Sequence, residues 1–163
     1  MSIQMQKDRR IGSVLIGQGV LTESQVQEIL EWQKTHTMPF GQAARQLFQI
    51  DEAAIWKAWA TQMGPYLAHV DIAGQQPDER VLTLLRAQEA WRLCALPLRL
   101  DEGHLVVATT LDTLPDAAAY FHVRSDLFVE FVIGEKLQIE QAIMQSYPKL
   151  AKANAQTASR KTA

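Results

Sequence analysis

Apolar positions in the first 62 residues fall into two matching runs. Val26, Ile29 and Leu30 stand at i, i+3 and i+4, one face of a helix, and Ile55, Ala58 and Trp59 repeat that spacing further on. Each run starts behind a good N-cap residue, Thr22 or Asp51, and closes on a glutamine in the i+7 place, Gln33 or Gln62. Thr22 and Gln25 also have capping-box spacing. Residues 10–33 and 39–62 align without a gap at an offset of 29, with Ile11-Gly12 over Phe40-Gly41 and Leu21 over Ile50. Ahead of each cap the pattern predicts a shorter helix, over residues 8–18 and 39–49. The first of these is closed by Gly17-Gln18-Gly19 in a left-handed cap. Glycine at 12 and 41 points to close backbone approach, by a neighbouring helix or by a ligand.

Past residue 64 the periodicity changes. Pro65 and the Gly/Gln/Pro cluster at 74–77 bracket a predicted strand over 66–72. A helix follows from Asp78 to about Arg92, with Val81, Leu82, Leu84 and Leu85 apolar. Strands over 95–100 and 104–109 flank Asp101-Glu102-Gly103, a hairpin signal. Leu127, Val129, Phe131 and Ile133 alternate with Phe128, Glu130 and Val132, which reads as a half-buried strand. A last helix over 135–147 carries Leu137, Ile139, Ile143 and Met144. The predicted fold class is α+β: an N-terminal helical lobe of two tandem helix–loop–helix motifs, then a small α/β lobe whose sheet contains a hairpin and is antiparallel or mixed. The predicted organisation is 1–64 for the tandem lobe, 65–148 for the α+β lobe and 149–163 for a disordered basic tail.

Charge sharpens that division. The chain carries a formal −2, yet Lys149, Lys152, Arg160 and Lys161 face no acid in the tail, leaving −6 on the rest. A body of that sign repels phosphate backbones, which argues against nucleic acid as a partner. One cysteine, Cys94, excludes an internal disulfide and suits a reducing compartment. Its apolar neighbours Leu93, Ala95 and Leu96 favour inert packing. MSIQMQKDRR lacks the apolar stretch of a signal peptide, and no window approaches the roughly 18 apolar residues of a membrane span. The expected location is cytoplasmic, without direct membrane insertion.

The two closing glutamines admit two readings. An apolar stripe that has reached its helix end meets water at no cost, while an amide at a groove edge is a ligand donor and acceptor. The repetition in both copies brings the two readings level.

These residues resemble the MshEN domain, the N-terminal domain of type II secretion and type IV pilus assembly ATPases. The family motif runs R-L-G-x-x-L-x-x-x-G-L-I, then a leucine stripe, then Gln. The first copy, RIGSVLIGQGVLTESQVQEILEWQ, matches it at Arg10, Ile11, Gly12, Leu15, Gly19, Val20, Leu21, Val26, Leu30 and Gln33. The resemblance implies a bacterial signalling domain that binds cyclic di-GMP through both motifs, arginine and glutamine engaging guanine and phosphate while leucines pack on the ligand. In the second copy Gly41, Ile50, Ile55 and Gln62 remain, with Phe40 lying over Ile11, but Pro39 replaces the arginine, Phe48 the second glycine and Ala44 a leucine. Losing an arginine removes a cation and a planar donor fork. Phe40 or Phe48 offers a stacking face instead, or core packing. The family's second lobe is matched by EAWRLCALPLRLDEGHLVVATTLD, so the resemblance runs from about residue 8 to 147. There the family's aspartate after the hairpin falls on Leu111, with Asp112 one place along.

No enzyme is expected. Gly12-x-x-x-x-Gly17 is followed by Gln18-Gly19 where a P-loop needs Lys-Ser/Thr, so nothing there engages a γ-phosphate and Mg²⁺. His36, His69, His104 and His122 form no i, i+4 pair, and no metal or other cofactor is expected. Family ATPases continue into a catalytic domain and this sequence does not, which leaves open a stand-alone chain or a piece of a longer one. Two functions follow. One is a cyclic di-GMP receptor domain without ATPase activity. The alternative is a protein-interaction module, on a secretion or pilus platform protein or another regulator, that has lost the nucleotide. Trp32 and Trp56 are its candidate interface residues, or core.

Overall fold

The computed structural model describes residues 10–147. The predicted basic tail, and Asp8-Arg9 at the head of the first predicted helix, lie outside the described residues. Among the described residues are eight α-helices and one three-stranded sheet, and the chain divides into two compact units between Tyr66 and Leu67.

The N-terminal unit holds α1 (Ile11–Gly17), α2 (Glu23–Gln33), α3 (Phe40–Phe48) and α4 (Glu52–Met63), followed by a 3₁₀ turn, Gly64–Tyr66. The predicted caps form. Thr22 Oγ1 accepts the Gln25 amide at 3.2 Å while Gln25 Oε1 accepts the Thr22 amide at 2.9 Å, a closed capping box. Asp51 Oδ1 accepts the Ala53 amide at 3.2 Å. Helix α1 ends in a Schellman arrangement: Val20 N–H donates to Leu15 O at 2.9 Å and Gly19 N–H to Ile16 O at 2.9 Å, with Gly19 at φ +70°. The second copy has Phe48 at the equivalent position, so α3 runs on and Gln49 takes the left-handed turn at φ 53°.

The two copies interlock. Helix α1 packs on α4 and α2 on α3, so the first helix of each copy meets the second helix of the other. Leu15, Ile29, Ala43, Ala44 and Ala58 have no exposed surface in this core, and Leu21 and Val26 are buried beside them. Neither copy has a core of its own.

The C-terminal unit holds α5 (Glu79–Leu82), α6 (Ala87–Leu93), β1 (Leu96–Asp101), β2 (His104–Thr109), α7 (Leu114–Arg124), β3 (Phe128–Ile133) and α8 (Lys136–Ser146). Strand order is β1-β2-β3; β1 and β2 are antiparallel and β2 and β3 parallel, so the sheet is mixed. The hairpin turns on Glu102 and Gly103, both at positive φ (48° and 84°), a combination that glycine makes cheap at the second position. Pro97 lies in the edge strand β1, where a missing N–H costs nothing, and a bulge beside it lets Leu98 O accept the Asp78 amide at 2.8 Å. The parallel step from β2 to β3 crosses through α7, whose Phe121 ring meets Phe131 edge-on at 6.1 Å.

Two predicted elements differ. The 66–72 strand shrinks to one bridge, His69 to Ile133, held by Val70 N–H to Ile133 O and Ile133 N–H to Ala68 O, each 2.8 Å. Tyr66 is drawn into the 3₁₀ turn, and Asp71 bonds the Ala73 amide at 3.1 Å, so the extended run is cut at both ends. The single helix from 78 to 92 is two. At about 100° per residue, a continuous helix carrying buried Val81 and Leu85 on one face would turn buried Ala90 roughly to the far side. The break restores both to the core. The Tyr147 hydroxyl donates toward the carbonyls of Leu82 (3.0 Å), which also accepts the Leu85 amide, and Leu85 (3.1 Å), and burial pushes its pKa up to about 12. Strand β3 is half-buried only in its first part, since Phe131, Val132 and Ile133 are all buried.

Candidate functional site

The predicted ligand residues separate into a scaffold and an accessible set. Leu15 and Leu21 are core residues at 0% and 4% exposure, so they shape the unit from inside. Gly12 is buried too, and its role is steric. A Cβ there would stand 3.0 Å from Val26 Cγ1 and 3.3 Å from the tip of the Phe40 ring. Gly41 repeats the arrangement against Ile55, where a Cβ would come within 2.7 Å of Cγ2. Of the two causes the sequence allowed, helix packing operates at both positions.

Arg10 precedes α1 in extended conformation (φ −74°, ψ 139°) and is exposed, with its carbonyl accepting the Val14 amide at 3.2 Å. Gly19 and Leu30 are exposed; Ile11, Val20, Phe40, Gly41, Ile50 and Gln62 are half-buried. Gln33 is half-buried and its Nε2 donates to Met38 O at 2.7 Å, tying the end of α2 to the residue before Pro39. Ile11, Val20, Phe40, Phe48, Ile50 and Ile55 all pack on the core, which places Phe40 and Phe48 at its margin. The Trp32 ring stacks on His36 at 3.8 Å and 3° between planes, and Trp56 meets Trp59 edge-on at 5.7 Å.

A feature missed by the sequence lies in the C-terminal unit. The ends of β2 and β3 and the start of α8 border an open groove of about 650 Å³ lined by His69, Asp71, Asp112, Glu135, Lys136 and Gln138, with Leu111 beside them. Leu111, on which the family's aspartate falls, and Asp112 one place along both face this groove. Only the strand-end position signals it, because ligand crevices in α/β layers open at the carboxyl ends of parallel strands. Thr109 and Thr110, buried just inside, are satisfied by the Thr113 hydroxyl at 3.0 and 2.7 Å. Cys94 is buried, and desolvation pushes its thiol up to about 11, as the inert-packing reading requires. Among the described residues no cluster of His, Cys, Asp or Glu is arranged to hold a metal, and no helix is long and apolar enough to cross a membrane.

The MshEN domain family model matches residues 65–153, more than half of the chain, and the chain belongs to that family. The match covers the α+β lobe, with the tandem copies ahead of it. Among solved structures, MshE with cdg is 25% identical, spans 85% of this chain and 99% of that one, and superposes with a TM-score of 0.45. The N-terminal domain of XpsE, in two crystal forms, is 17% and 16% identical, with TM-scores of 0.44 and 0.42. Those comparisons span 83% and 88% of this chain and 92% and 95% of the other. No curated protein matches the chain.

Proposed function

We propose that this chain is a regulatory receptor domain for cyclic di-GMP, without ATPase activity, with residues 1–64 as the ligand lobe and 65–148 as the α+β lobe. The observation that carries the reading is the near-intact first motif. Its arginine, Arg10, stands exposed ahead of a helix whose glycine packing and Schellman closure are both in place. Arg10 supplies the cation and planar fork for phosphate or guanine. Leu30, Val20 and Ile11 offer apolar surface, while Gln33 and Gln62 stand at the ends of their stripes. A ligand shifts the domain only if it binds two arrangements with different affinity, so the signal is read out as a change in conformational population. Isothermal titration of the parent chain and Arg10→Ala with cyclic di-GMP tests the reading; absence of heat from the parent overturns it.

A second reading rests on Pro39. With Pro39 standing where the motif's arginine would be, the same interlocked scaffold serves as a docking module for a secretion or pilus platform protein or another regulator. A pull-down from expressing cells that recovers such a component in the absence of cyclic di-GMP favours this reading.

A further inference from the structure

We infer that Gln33 is a positioning residue that sets where the second motif begins. The connector 34–38 between α2 and α3 is fixed at both ends by hydrogen bonds. At its head, Trp32 O accepts the Thr35 amide (3.2 Å) and hydroxyl (3.2 Å), and His36 Nδ1 lies 3.0 Å from the same oxygen. The stacked Trp32 and His36 rings hold that end flat. At its foot, Gln33 Nε2 donates to Met38 O at 2.7 Å in a half-buried setting, where an unmet carbonyl is costly. Met38 then leads into Pro39, whose ring restricts the residue before it, so fixing the Met38 carbonyl fixes the start of α3. Pro39 O accepts the Ala43 amide at 3.0 Å to open that helix. Its first residues are Phe40 and Gly41, and Phe40 is the ring that lies against Gly12. One amide thus links the end of the first motif to the start of the second, and through Phe40 back to the glycine of the first.

This deepens the cyclic di-GMP reading, and rests on it only for the affinity part of the test. Hydrogen–deuterium exchange of amides in residues 34–44 is measured for the parent chain and for Gln33→Leu, Gln33→Glu and Gln33→Lys. Leucine and glutamate remove the N–H donor while nearly keeping the size, and lysine restores a donor without the amide oxygen. Exchange rises about fivefold in the first two variants and returns to within about twofold of the parent in the third, the scale of one lost hydrogen bond. Unchanged exchange in Gln33→Leu overturns the inference. So does a lysine variant that exchanges as fast as leucine, or a rise spread evenly over α1 and α4. In titration with cyclic di-GMP, Gln33→Leu loses about tenfold against the parent. A Gln33→Leu protein that binds as the parent does overturns the inference. No heat from the parent overturns the receptor reading instead, and the exchange data then decide the role of Gln33 alone.

Discussion

Gly41→Ala puts the interlocked packing of the tandem copies to a quantitative test. A Cβ at position 41 would lie 2.7 Å from Ile55 Cγ2, closer than real Cβ contacts come. That methyl sits on a β-branched carbon inside α4, so it cannot swing away without leaving its rotamer. Overpacking of this kind costs about 1–3 kcal/mol. Alanine recovers at most about 1 kcal/mol of helix propensity over glycine. The expected net loss is therefore centred on about 1 kcal/mol and reaches about 2. Ile55→Leu removes Cγ2 while keeping the carbon count, so Gly41→Ala on that background keeps only its propensity gain of up to about 1 kcal/mol, a coupling of about 1–3 kcal/mol. The assay is urea unfolding followed by fluorescence in a Trp91→Phe background, where Trp32, Trp56 and Trp59 all report on the N-terminal unit. A Gly41→Ala protein as stable as the parent, or a cost unchanged by Ile55→Leu, refutes the claim that glycine is there for Ile55.

Further outcomes follow from single residues. Gln49→Gly relieves the left-handed residue at φ 53° and raises the urea midpoint, by about 0.5–1 kcal/mol of stability. Thr22→Ala opens the capping box and lowers stability of the N-terminal unit by about 1 kcal/mol in the same assay. In the C-terminal unit, Cys94 and Tyr147 both have folded pKa values raised by burial, to about 11 and about 12 from 9.0 and 10.0. Each group stays protonated when folded at a pH where the unfolded chain ionises. Their contribution is complete below about pH 9 and declines as pH rises toward 12, which chemical denaturation at stepped pH measures. A flat profile above pH 9 contradicts those environments.

Local chemistry with a short-range signature is legible in the sequence. Thr22 with Gln25, Asp51, Gly19 and the Glu102-Gly103 turn each act within four residues, and each forms as its spacing predicts. Elements that depend on distant partners are less legible. The break at residues 83–86 depends on which side of the core Ala90 must reach and on a tyrosine 62 and 65 positions away. The run 66–72 is bracketed as a strand would be, but pairing needs a partner with free edge groups, and among the described residues Ile133 alone meets it. At the site, periodicity locates the paired glycines and glutamines. The pairing of α1 with α4 and α2 with α3 is a crossed arrangement that sequential order does not reveal. The groove at the strand ends is signalled only by the strand-end position of residues such as Leu111 and Asp112, because its lining comes from three separate stretches.

The receptor reading turns on one side chain. Isothermal titration of cyclic di-GMP into the parent chain is predicted to give a saturable heat, with Arg10→Ala weakening binding about 10- to 100-fold through loss of charge-assisted hydrogen bonds. No heat from the parent, or equal affinity in the variant, contradicts it.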